Sequence, residues 1–219
     1  DLGAKRIILV APYLPYMRQD RRFREGEGIT SVYFAGLISE WFDALITIDP
    51  HLHRRKSLDE IYPIPGFVLH AAPLVSNWIR KNIKKPLLIG PDGESEQWVK
   101  SVAEAAAAPY IVLEKVRRGD RDVEVSLPQI EKWNERTPIL VDDIISTAKT
   151  MIKTVGHLKD LKFNPPVCIG IHAVFADNAY ADLLEAGVEK IVTCNTISHE
   201  SNDIDVLGLV ADFIKKQKY

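Results

Sequence analysis

The 219-residue sequence predicts an α/β fold in which mostly parallel sheets are flanked by helices. Short aliphatic runs alternate with longer amphipathic segments, the way strands and crossover helices take turns in a parallel sheet. The runs are apolar enough to be strands covered on both faces. In order, Ile7 to Ala11 reads as a strand, Thr30 to Phe42 as an amphipathic helix and Leu45 to Ile48 as a second strand, followed by the irregular basic stretch His51 to Lys56. A first unit ends near Pro63-Ile64-Pro65-Gly66, where two prolines and a glycine punctuate the chain. Ala72 to Lys81 is then a helix, Pro86 to Gly90 a strand, Glu94 to Ala107 an alanine-rich helix and Tyr110 to Leu113 a strand. Arg117 to Val125 is so charged that it reads as a mobile loop or an exposed hairpin. Pro138 to Val141, Val167 to Ala173 and Lys190 to Cys194 read as buried strands, with helices at Thr147 to Leu158 and Ala179 to Ala186. Asp205 to Lys216 closes the chain as an amphipathic helix whose lysine-rich end suits the helix dipole. These elements divide into residues 1–70, with the last helix (205–219) packed on them, and residues 71–204.

Composition narrows the partners. A net charge of −2 lacks the footprint of a general nucleic-acid binder, so a small metabolite is the expected partner. No apolar run approaches the roughly 20 residues a membrane helix needs. The two cysteines, Cys168 and Cys194, lie in apolar stretches without metal-type spacing, which points to buried reduced thiols and a cytoplasmic protein.

The most informative segment runs from Pro138 to Thr150, where an aliphatic strand meets Asp142-Asp143, a hydroxyl-rich turn and a helix. A helix start offers unpaired backbone N–H groups and a positive dipole end, and Ser146, Thr147 and Thr150 add hydroxyl donors, so a phosphate monoester fits there. The acids would repel that phosphate. They suit neighbouring ribose hydroxyls and a magnesium ion bridging to pyrophosphate instead. Taken alone, the two acids serve equally well as plain helix caps.

This segment resembles the phosphoribosyl-pyrophosphate-binding loop shared by type I phosphoribosyltransferases and ribose-phosphate diphosphokinases. By that resemblance Asp142, Asp143, Ser146, Thr147, Ala148, Lys149 and Thr150 bind ribose 5-phosphate, and both domains are phosphoribosyltransferase-like. Three further motifs stand in the order of the diphosphokinases. Tyr16-Met17-Arg18-Gln19-Asp20 is similar to the family's Tyr-x-Arg-Gln-Asp, which implies an ATP site at Arg18, Gln19 and Asp20. Asp49-Pro50-His51 matches Asp-x-His and makes His51 a magnesium-site residue, with His53 close by. Ile89-Gly90-Pro91-Asp92-Gly93-Glu94 resembles the family's strand followed by Pro-Asp-x-Gly, which implies that Asp92 is at the metal. Leu113 to Arg118 matches the family's catalytic loop, in which Lys115 and Arg117 face the reacting phosphates.

The resemblance implies magnesium-dependent transfer of the β,γ-diphosphoryl group of ATP to the anomeric hydroxyl of ribose 5-phosphate. The products are phosphoribosyl pyrophosphate and AMP. It also implies a homo-oligomer with the ATP site near a subunit interface. A type I phosphoribosyltransferase and a non-catalytic regulatory homologue are the alternatives. The chain departs from the family pattern at Ser146, where many members have aspartate, and at Lys149, where glycine is usual. If that position needs a left-handed backbone, the Lys149 side chain would crowd the chain path; the same side chain also offers a cation to the phosphate site. Family chains also start with further strand and helix units before the point matching Asp1. Residues 1–70 are therefore expected to be the remainder of an N-terminal domain whose first strand presents an open edge.

Overall fold

A computed structural model of the chain describes residues 3–90, 93–118, 122–126 and 133–217. In chain order the first elements are β1 (Ile8–Ala11), α1 (Thr30–Trp41), β2 (Ala44–Ile48), β3 (Gly66–Leu69), α2 (Ala72–Asn82), β4 (Pro86–Gly90), α3 (Glu96–Ala106) and β5 (Tyr110–Val112). They are followed by β6 (Glu114–Arg118), β7 (Asp122–Ser126), β8 (Thr137–Ile145), α4 (Lys149–Asp160), β9 (Val167–Ala173), α5 (Ala179–Glu185), β10 (Lys190–Cys194), β11 (Asn202–Ile204) and α6 (Leu207–Lys216). The chain divides into two compact units, residues 1–70 with 207–219 and residues 71–206.

In the first unit β1, β2 and β3 form a parallel sheet in that order. Its central strand, Ala44 to Ile48, is buried throughout, which is why its five residues are aliphatic or threonine. Leu45 joins Leu14, Met17, Ala35, Leu58 and Tyr62 in one core. Burial pushes the Tyr62 phenol up to about 12. Helix α6 belongs to this unit and meets β3 through Phe213 and Phe67, whose ring centroids are 5.2 Å apart. Strand β3 departs from the sequence expectation, which placed only a breaker there. Pro65 stands just before the strand, where its missing N–H is tolerated, and its carbonyl accepts the Leu45 N–H at 2.9 Å.

The second unit is built on a six-stranded parallel sheet with the order β11-β10-β9-β8-β4-β5. The expected α/β class with parallel sheets is therefore met. Leu87, Ile89, Leu140, Cys168 and Ile191 from its strands pack with Met151, Val155 and Leu158 of α4 in one core. Both cysteines are free and buried, and burial raises the Cys168 thiol well above its usual range. The charged stretch after β5 forms an antiparallel hairpin, β6 with β7, in which Lys115 pairs with Val125 and Arg117 with Val123.

One strand boundary and one further strand correct the sequence reading. Strand β8 was expected to stop at Val141, but it runs on to Ile145, so Asp142 and Asp143 are strand residues. The extension follows from β9, which pairs Asp142 with Gly170 and Ile145 with Ala173. Strand β11 was missed because Asn202-Asp203 carries no apolar signal. Its stabilisation comes from side chains: Trp78 Nε1 and Lys190 Nζ both donate to Asp203 Oδ2, at 3.1 and 2.7 Å. The Lys190 ammonium in first place holds the Asp203 carboxyl below its ordinary range.

Gly170 is where β9 makes room for the end of β8. A Cβ there would lie 2.6 Å from Ile145 Cγ1 and 2.8 Å from its Cδ1. Because Ile145 is fully buried and has nowhere to swing, Gly170→Ala should cost about 1–3 kcal/mol of unfolding free energy. Urea denaturation of the two proteins side by side measures this.

Candidate functional site

In the first unit the loop after β1 is pinned by apolar side chains and presents polar ones. Leu14 and Met17, each 2% exposed, enter the core and leave Arg18 and Gln19 in solvent. The turn between them is closed by the Gln19 N–H donating to the Tyr16 carbonyl at 2.9 Å, with Tyr16 in the left-handed region at φ 65°. The Gln19 carbonyl then accepts the Ser31 N–H, one of the otherwise unpaired donors at the start of α1. Asp20 is placed differently from its two neighbours. Its side chain is only 2% exposed, and Arg54 Nη1 donates to both of its oxygens at 3.2 Å. Arg54, from the basic stretch after β2, is a residue that sequence reasoning did not single out. Its signal was only its place in a basic run.

The same stretch carries His51 and His53. Their ring centroids are 4.0 Å apart, with His51 half-buried and His53 exposed. Upstream, Asp49 directly follows β2 at φ 37°, buried, with its N–H donating to the Leu69 carbonyl at 3.0 Å. Its Oδ1 lies 2.8 Å from His70 Nδ1, a pairing across β2 and β3 that the motif alone did not reveal. That hydrogen bond raises the His70 imidazole above its ordinary 6.5, outweighing the opposing effect of partial burial.

In the second unit the expected sugar-phosphate segment is continuous. Asp142 and Asp143 lie half-buried at the end of β8, and the Asp143 N–H donates to Asp142 Oδ1 at 3.0 Å. The turn holds Ser146, half-buried, and Thr147, exposed. Ala148 precedes α4 in the left-handed region (φ 53°, ψ 4°), and Lys149 is the first helical residue. The left-handed position therefore falls one residue before Lys149, and the lysine side chain projects from an exposed first turn without crowding the loop. No side chain caps α4 and no acidic residue stands in its first turn, so its leading N–H groups face no competing negative charge from the helix itself. The acids are not the helix caps they might have been from sequence, since they stand six and five residues ahead of the capping position, Ala148.

The remaining expected residues are only partly placed. Lys115 and Arg117 lie in β6, paired with Val125 and Val123 of β7. Asp92 lies outside the described residues.

The profile of the phosphoribosyl transferase domain matches residues 57–207, and that of the N-terminal domain of ribose phosphate pyrophosphokinase matches residues 1–41. A ribose-phosphate pyrophosphokinase of Sulfurisphaera tokodaii is 33% identical over 221 residues, covering 99% of this chain and 74% of the relative. The chain belongs to the ribose-phosphate pyrophosphokinase family. A second member, from Thermoplasma acidophilum, is 31% identical over 214 residues, with 98% of this chain and 73% of the relative covered. A phosphoribosylpyrophosphate synthetase structure from Mycobacterium smegmatis matches with a TM-score of 0.81 at 22% identity, over 97% of this chain and 71% of that one, which is likeness of fold. Membership in this family of enzymes agrees with the diphosphokinase expectation. The transferase alternative has no account of the match to the pyrophosphokinase N-terminal domain.

The Asp49–His70 pair yields a pH prediction with a definite sign. Because the folded value is raised, the contact contributes fully below pH 6.5 and is lost as pH rises through the folded value. The His70 side chain is 72% exposed, so solvent screening keeps the contribution small. An NMR titration should place the His70 midpoint above 6.5 and Asp49→Asn should lower it. A midpoint unmoved by that substitution rejects the pairing.

Proposed function

We propose that this chain carries out the family's reaction through the two sets of residues described above. In that reaction the anomeric hydroxyl of ribose 5-phosphate attacks the β-phosphorus of ATP and AMP leaves. The single observation that carries the sugar-phosphate assignment is the order at the end of β8: two half-buried carboxylates, a hydroxyl-bearing turn and an uncapped helix start. Asp142 and Asp143 accept hydrogen bonds from the ribose hydroxyls and orient the ring. The N–H groups at the start of α4, with Ser146, Thr147 and Thr150, donate to the 5-phosphate, and Lys149 adds a positive charge at the same end. Arg18 and Gln19, exposed on a loop anchored by Leu14 and Met17, are the ATP contacts. Asp20 serves that site by fixing its loop to Arg54.

Lys115 and Arg117 supply positive charge to the diphosphoryl oxygens during transfer, a role that asks for charge and placement rather than a covalent nucleophile. Magnesium fits the donor set on chemical grounds. Asp142 and Asp143 offer the oxygen ligands it prefers, whereas His51 offers nitrogen and suits a contact through a bound water better than direct ligation. Asp92 completes the proposed set. When bound, the ion would neutralise charge on the pyrophosphate oxygens.

Two broader readings belong to the same proposal. A cytoplasmic setting is supported by the two free buried thiols, and among the described residues no helix is long and apolar enough to cross a membrane. A homo-oligomer with ATP near a subunit interface follows from the family resemblance, and sedimentation of the full chain tests it.

AMP and phosphoribosyl pyrophosphate formation from ATP, magnesium and ribose 5-phosphate is the direct test. Lys115→Ala and Arg117→Ala should each lower kcat by about 100-fold or more with smaller changes in KM, as for groups that act chiefly in the transition state. Unchanged turnover removes them from the catalytic set. The double variant Asp142→Ala, Asp143→Ala should raise the ribose 5-phosphate Kd about tenfold or more, the loss expected for hydrogen bonds to charged groups. An unchanged Kd in calorimetry would remove the sugar from β8.

A further inference from the structure

We infer that three rings outside the expected site, Phe175, Tyr180 and His199, form a positioning device for the sugar-phosphate loop; this rests on the assignment of that loop above. The connection is through backbone hydrogen bonds. The Phe175 N–H donates to the Ile145 carbonyl at 2.9 Å, and the Ala176 N–H donates to the Ser146 carbonyl at 3.1 Å. The loop that follows β8 is therefore held by the loop that follows β9, one strand away in the sheet.

The holding loop is itself in an unfavourable conformation. Phe175 and Asp177 lie in the left-handed region, at φ 38° and 53°, and neither is glycine. Such residues persist where their surroundings over-determine them. Side-chain packing around Phe175 provides that constraint. Its ring centroid is 4.5 Å from His199 and 5.2 Å from Tyr180, and Tyr180 meets His199 edge-on at 4.8 Å. The three rings come from the loop after β9, the first turn of α5 and the loop after β10, so each locks the other two.

His199 is the fixed member of the cluster. Its Nδ1 accepts the Ser201 N–H at 3.1 Å and lies 2.8 Å from Ser201 Oγ. Its own N–H donates to Asn202 Oδ1 at 2.9 Å, and Asn202 Nδ2 donates to Thr193 Oγ1 and the Cys194 carbonyl at 2.8 and 3.0 Å. The start of the same loop is held by Thr196, whose Oγ1 donates to the Ile171 carbonyl at 2.8 Å and accepts from His172 Nδ1 at 2.9 Å. A rigid β10–β11 connection thus supports His199, His199 supports Phe175, and the Phe175–Ala176 backbone sets where Ser146 and the start of α4 stand. These are positioning residues, since none is placed on substrate.

The experiment uses the full chain with Phe175→Ala, His199→Ala and Phe175→Tyr. Calorimetry with ribose 5-phosphate and, separately, magnesium-free ATP should show Phe175→Ala and His199→Ala losing about tenfold or more for the sugar phosphate, as small misplacements of a binding loop do. Affinity for ATP should stay within about twofold, the spread of an uninvolved site. Phe175→Tyr keeps the ring and should restore sugar-phosphate binding. Equal affinities in native and alanine variants overturn the inference, as do equal losses for both ligands, which a merely structural role would give. If the native chain itself binds no ribose 5-phosphate, the site assignment fails, and amide hydrogen exchange then decides the positioning claim alone. Faster exchange at Phe175 and Ala176 in His199→Ala sustains it, and unchanged exchange overturns it.

Discussion

Strand β8 is nine residues long, and its last residues stay in register with β9 because Gly170 has no side chain to push Ile145 away. The sugar-phosphate segment proposed in the second unit depends on that close approach. With Ile145 seated over Gly170, the strand carries Asp142 and Asp143 to the carboxyl edge of the sheet before the chain turns. The turn then has only three residues, Ser146 to Ala148, in which to reach the first helical position at Lys149. One left-handed residue, Ala148, suffices to make that reversal. Carboxylates, hydroxyls and helix start thus arrive at one edge, where ligands of open α/β sheets bind.

The first unit meets the same requirement by different means. Its polar loop is too irregular to be held by a strand ladder, so apolar anchors and buried charge do the work. Leu14 and Met17 are buried while Arg18 and Gln19 next to them are exposed. Asp20 is removed from solvent by Arg54, and Asp49 is engaged by His70. Carboxylates used this way hold backbone in place and leave the arginine and glutamine available for a ligand. In both units, then, the groups proposed to touch substrate are exposed or half-buried, and the groups that fix them are packed among apolar or charged partners.

Much of the second unit was legible because its strands are covered on both faces. Val167 to Ala173 and Lys190 to Cys194 are aliphatic runs with no competing interpretation, and both are strands with the expected limits. Elements held by side chains rather than by composition were not legible. Strand β11 depends on the Trp78–Asp203–Lys190 contacts, and β3 begins at a glycine after two prolines that locally read as a stop. The candidate site divides in the same way. Asp142 to Thr150 stood out because strand, acids, hydroxyls and helix are contiguous in the chain, whereas Arg54, His70 and Phe175 act across long sequence separations.

The sequence by itself determined the α/β class, the family resemblance and the local order of acid, hydroxyl and helix, since each depends on residues that neighbour one another along the chain. Tertiary structure alone decided the rest. It extended β8 through the two acids, because only pairing with β9 can keep charged residues in a strand. It put the left-handed position at Ala148, one residue before Lys149, which makes the lysine an exposed cation instead of an obstruction. It also joined Phe175, Tyr180 and His199, whose contact depends on two parallel crossovers returning to the same edge of the sheet.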